Sequence, residues 1–101
     1  MNEQANEGIP REEGAAPAAY PETLTLKLRK PIQIKGDSVS YTTLELREPI
    51  VDELDRSLQA GSSNYASNCA LIAFITGIPV QAVRMLGNRD YKEAVAYLQG
   101  F

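Results

Sequence analysis

The chain has 101 residues, room for one small domain and a tail but not for two domains. Its net charge of −3 argues against a nucleic-acid binder, and its lack of histidine removes the commonest metal ligand and general base and excludes His-based triads. The lone cysteine, Cys69, rules out an intramolecular disulfide, so the fold must rest on packing, as in a reducing compartment.

Residues 1–22 read as a disordered leader. They are polar, acidic and rich in small residues, and Pro10, Pro17 and Pro21 break any helix the alanines could form. Only Ile9 and Tyr20 could bury much; an arm that folds on binding is the alternative reading. No charged-then-apolar signal pattern opens the chain, so a cytoplasmic setting is expected. At Thr23 the period changes to two. Leu24, Leu26 and Leu28 alternate with Thr25, Lys27 and Arg29, and Ile32 and Ile34 resume the parity after Pro31. Lys35-Gly36-Asp37-Ser38 is a turn signal, and a return strand runs to Arg47. Val39 and Tyr41 are out of parity with Leu44 and Leu46, which predicts a bulge near Thr42-Thr43, opposite Pro31. A hairpin over 23–47 is marginal alone and must lie on the helices that follow.

Four short helices are expected, at about 50–60, 64–76, 79–87 and 90–99. Pro49 suits a first turn, and Val51, Leu54 and Leu58 form a stripe that should face the core. The run Cys69 to Ile75 has no polar side chain. Burying Leu71, Ile72, Phe74 and Ile75 would contribute roughly 1.5–3 kcal/mol each, and the run is far too short to span a membrane. Gly77 and Pro79 stop one helix and open the next, and Asp90 with Glu93 matches a capping box for the last, where Tyr91, Ala94, Val95 and Leu98 fall at helical spacing. The fold class is therefore α+β: a disordered leader, then a single domain over 23–101 with an N-terminal β-hairpin packed against three or four short α-helices.

No residue pattern points to catalysis, a cofactor or a metal. Glu45, Glu48, Asp52, Glu53 and Asp55 are interleaved with Arg47 and Arg56 at ion-pair spacing, and read as a solvated face. Lys27, Arg29, Lys30 and Lys35 guard an edge strand or meet an acidic partner. Cys69 reads as a small buried hydrophobe. There is no calcium loop, phosphate loop or CxxC pair. Residues 77–91 have a helix-turn-helix rhythm, but the last helix offers too few basic side chains for a DNA reader.

The order of several pieces carries a resemblance over residues 23–101. They are the strand-Arg-x-Pro-x-x-Asp junction (Arg47, Pro49, Asp52), the turn Thr76-Gly77-Ile78-Pro79, and the Asp90-Tyr91 start of the last helix. Together these resemble the small tail assembly chaperones of Mu-like contractile-tailed bacteriophages and prophages. The resemblance implies a non-enzymatic protein that binds the tape measure protein and keeps it soluble while the tail tube forms. It also implies absence from the virion and, in many such phages, a longer frameshifted form as a further partner. A client groove is expected on Leu71, Phe74, Ile75, Ile78, Val80 and Val83, with helix-in-groove recognition; the other reading of these side chains is monomer core. The hairpin edge offers strand addition as a second route. A structural tail or baseplate component, and behind it a small DNA-binding regulator, are the alternatives. A homo-oligomer is left open; nucleic acid and membrane are not expected partners.

Overall fold

The computed structural model describes residues 20–34, 36 and 39–101. The expected disordered leader up to residue 19 lies outside them, as do Lys35, Asp37 and Ser38 of the turn. Strands β1 (Thr23–Gln33) and β2 (Ser40–Arg47) form an antiparallel two-stranded sheet. Four helices follow: α1 (Val51–Ala60), α2 (Asn64–Thr76), α3 (Val80–Val83) and α4 (Asn88–Gln99). This is the α+β hairpin-and-helices architecture expected from the change of period along the chain.

Alternation places Leu24 opposite Leu46 and Leu26 opposite Leu44. The register then shifts: Lys27 pairs with Thr43, but the next pair is Ile32 with Tyr41. The irregularity is opposite Thr42, as expected, but the extra residues belong to β1. Pro31 has no N–H to offer a ladder, and the N–H groups of Arg29 and Lys30 find an acceptor outside the sheet. That acceptor is the Asp90 carboxylate of α4, at 3.0–3.2 Å. Asp90 is 1% exposed. One buried side chain therefore satisfies the bulge and docks α4 on β1.

The core lies between the sheet and α2, with α3 and α4 closing it. Leu44, Leu46, Ile72, Ala82, Val83 and Ala94 are almost fully buried. Helix α2 starts where Ser63 Oγ accepts from the Ala66 N–H at 3.1 Å. It ends at Gly77, whose left-handed φ of 76° places its N–H on the Ala73 carbonyl. Thr76 Oγ1 donates to the Ile72 carbonyl and accepts from the Ile78 N–H, and buried Ile78 is thereby turned into the core.

Four expectations need correction. Helix α3 is one turn, not a helix over 79–87, because Met85 and Leu86 bond back only three residues, to Ala82 and Val83, which tightens and ends it. Helix α4 begins at Asn88 with Gly87 before it, so Asp90 and Glu93 form no capping box; Asp90 is spent on β1. The packed part of the chain begins by Tyr20, within the segment read as leader. The Tyr20 ring stacks on Tyr97 at 5.2 Å and its hydroxyl donates to the Tyr97 carbonyl. The Tyr97 hydroxyl donates to the Pro21 carbonyl, and Phe101 sits edge-on to both rings. Finally, α1 does not turn its aliphatic stripe to the core, and this determines the surface described next.

Candidate interaction surface

Helix α1 is amphipathic, but its polar side faces inward. Glu53 and Ser57 are buried, whereas Val51 is 79%, Leu54 41% and Leu58 70% exposed. The cause is local. Arg47, at the end of β2, donates to both Glu53 oxygens at 2.9 and 2.7 Å, and the Ile50 N–H donates to Glu53 at 3.0 Å. A bidentate guanidinium pair with a backbone donor fixes which face of the first turn points in. One turn on, Ser57 satisfies its hydroxyl on the Leu54 carbonyl and is small enough for α1 to lie close to α2. After the helix Gly61 continues that close approach: a Cβ there would overlap the Ser67 backbone N and lie 2.6 Å from Ser67 Cα. Glu53, Ser57 and Gly61 thus form the contact row, and the leucines are left outside.

The Arg47 guanidinium, by hydrogen bonding, holds the Glu53 carboxyl at about 2, with the Ile50 N–H assisting and burial opposing. The same pair raises Arg47 above its ordinary range. The folded-state value lies below the ordinary value of 4.5, so this pair stabilises the fold fully above that pH and loses its contribution as pH falls toward 2. Urea midpoints measured from pH 6 down to about 2.5 should fall with acidification in the wild type and fall less steeply in Glu53→Gln. Parallel slopes in the two proteins would show that Arg47 and Glu53 do not hold α1 in this way.

Beside α1 the exposed leucines border a groove of about 340 Å³. Leu54 and Leu58 form one wall, Val95, Leu98 and Gln99 of α4 the other, and Ser57, Ser67 and Leu71 lie between them. Solvent-facing aliphatic side chains beside an apolar groove mark an interaction surface more strongly than scattered ones do.

The six residues expected to line a client groove are dispersed. Leu71 is buried and lines this groove, whereas Ile78 and Val83 are buried in the core. Phe74 is half-buried under the Arg56 guanidinium, 4.9 Å from its ring centre, and lines a second hollow with exposed Val80 and Arg84. Ile75 is half-buried and faces another hollow beside Thr23 and Leu46. The basic strand supplies an internal ion pair: Arg29 meets Glu93 at 2.8 Å. In the junction motif Arg47 reaches Glu53, while Asp52 faces Arg56 at 3.5 Å. Sequence reasoning missed Val51, Leu54 and Leu58 as surface residues. The spacing of Glu53, Ser57 and Gly61 at i, i+4 and i+8 is the signal that could have revealed the inverted face.

Among the described residues no helix is long and apolar enough to cross a membrane, and no group of three metal-ligating side chains converges. Cys69 is buried, and burial pushes its thiol pKa up, which suits an unreactive side chain. No curated protein and no solved structure matches the chain. A family model described as "Phage tail assembly chaperone proteins, E, or 41 or 14" does match, over residues 25–101, from the first strand to Phe101. The match takes in the hairpin, the inverted helix α1 and the groove beside it, and the chain belongs to this phage tail assembly chaperone family.

Proposed function

We propose that the protein binds the phage tape measure protein in the bacterial cytoplasm and keeps it soluble during tail assembly, without catalysis and without remaining in the virion. The observation that carries this reading is the apolar face of α1. A small domain that turns Val51, Leu54 and Leu58 to solvent retains an apolar surface that it can share with a client. Family membership supports a role in tail assembly. Phe74 and Val80, around the far side of α2, could extend the contact, and Leu71 would lie under it.

The test is co-expression with the tape measure protein encoded in the same genome. The expected result is a client that moves into the soluble fraction and co-purifies with the chain, and purified virions that lack the chain by mass spectrometry. A client that stays insoluble would overturn the chaperone reading. Abundant copies in virions would favour a structural tail component instead.

A further inference from the structure

We infer that the outer side of α2, where two hollows meet at Arg84, binds an acidic segment of a partner protein, with one apolar side chain in each hollow and a carboxylate between them on the guanidinium. This face is separate from that of α1, and the inference does not depend on the chaperone reading.

The first hollow, about 290 Å³, lies between α2, α3 and α4. The rings of Tyr65 and Tyr91 stand on its wall, tilted to one another at 5.5 Å, above buried Cys69 and Val83. Asn68 Nδ2 donates to the Tyr91 hydroxyl at 3.0 Å, which fixes that ring. The second hollow, about 280 Å³, lies between Phe74 and Val80, over small side chains of α2. Tyr65 and Val80 are exposed, so both hollows open at apolar rims. Arg84 is the one side chain that borders both.

Charge selects the partner. Arg84 is exposed, and among the described residues no carboxylate pairs with it, whereas Arg29, Arg47 and Arg56 each hold one. Neither hollow is lined by an acidic residue. The reason is in the sequence: from Arg56 to Arg89 there is no Asp or Glu, and the only charges are Arg56, Arg84 and Arg89. Asp52 is taken by Arg56 at 3.5 Å, the same guanidinium that lies over Phe74, so that pair adds no net charge. Asp90 is buried and turned to β1. An unpaired guanidinium with an apolar hollow on either side is complementary to a carboxylate between two apolar side chains. A neutral segment would leave the guanidinium without a partner, and a basic one would bring like charge.

The probes are capped peptides of about ten residues in a serine–glycine background. Each has one phenylalanine and one leucine, set roughly two to four residues apart so that extended and helical spacings are both presented. The residues between them are all glutamate, all glutamine or all lysine. Each is titrated into the isotope-labelled full chain and followed by amide chemical shifts. At least one glutamate peptide should shift Tyr65, Cys69, Arg84 and Tyr91. Its glutamine counterpart should bind at least about threefold more weakly, and the lysine peptide more weakly still. Arg84→Gln should remove the difference between the glutamate and glutamine peptides, with an unchanged circular dichroism spectrum. Tyr65→Ala, at a 68% exposed site, should weaken the glutamate peptide by about fivefold or more. Leu58→Ser, on α1, should leave binding unchanged.

No shift at these residues with any glutamate peptide at millimolar concentration would overturn the inference, as would equal binding of the three charge versions. A preference for glutamate that survives Arg84→Gln would overturn it too. Two results without peptide would reassign the face and so also overturn it. If Glu3→Gln, Glu7→Gln, Glu12→Gln and Glu13→Gln together shift the same amides in the full chain, its own first residues occupy the hollows. If those amides shift on dilution of the wild type but not of Arg84→Gln, the occupant is a second copy.

Discussion

Replacing Asp90 with alanine is expected to destabilise the fold by about 3 kcal/mol and to lower the melting temperature by more than about 10 °C. The carboxylate is 1% exposed and accepts from the N–H groups of Arg29 and Lys30, with the Arg29 guanidinium at 3.5 Å. Those N–H groups lie in the stretch of β1 where register with β2 is lost, so removing the acceptor leaves them without their ladder or its substitute. A buried donor left unsatisfied costs about 1–3 kcal/mol; the two bonds lost here are part-buried, so together they contribute toward the upper end of that range. Asp90→Asn keeps one acceptor oxygen but sets an NH₂ toward Arg29, so its effect should fall between wild type and alanine. Glu93→Ala is the control. Its carboxylate pairs with the same arginine at 2.8 Å, but both side chains are about half exposed, and exposed pairs contribute under about 1 kcal/mol. Urea unfolding of the three variants decides the matter. An Asp90→Ala midpoint no lower than that of Glu93→Ala would mean that the bulge does not depend on α4.

Asp90 also shows where sequence reading stops. Its position near a helix start reads as a local cap, because capping is the commonest use of an aspartate there. Its actual partner is some sixty residues earlier, in a strand distortion that no local pattern encodes. Features with local causes were legible. Helix α2 occupies Asn64–Thr76 as expected, because Ser63 caps one end and the left-handed Gly77 and Pro79 end the other. The hairpin followed from leucines at period two, and the place of its irregularity from the parity slip opposite Pro31.

The orientation of α1 was not legible in the same way. Helical spacing places Val51, Leu54 and Leu58 on one stripe, and burial of that stripe is the ordinary outcome for a small domain. The opposite outcome follows from a tertiary contact, Arg47 clasping Glu53, and from the close seat that Ser57 and Gly61 allow on α2. For a member of a phage tail assembly chaperone family, the inverted helix has a consequence. The hydrophobic core draws its side chains from the sheet and from α2, α3, α4 and the turns beside them, and the leucines of α1 stay exposed.

A similar ambiguity in α2 underlies the second large effect. This helix is apolar on most sides, so composition alone gives Phe74, its one phenylalanine, as much claim to the core as Ile72. The structure separates them. Ile72 is fully buried, whereas Phe74 is half-buried beneath Arg56. Ile72→Ala should therefore cost about 3–4 kcal/mol, the transfer of the lost methylenes plus the cavity left in a packed interior. Phe74→Ala should cost only about 1–2 kcal/mol, part of its apolar burial together with the cation–π contact. The order is informative because phenylalanine is the larger residue, and volume alone would reverse it. Chemical denaturation of both variants, with unchanged m-values as the check on two-state behaviour, measures it directly. If Phe74→Ala proves the more damaging, α2 is rotated relative to the sheet, and with it would go the placement of α1, which packs on α2. If Ile72→Ala is the more damaging, as expected, Phe74 is left as a partly open aromatic whose loss the fold tolerates, and its effect on client solubility can then be read without interference from unfolding.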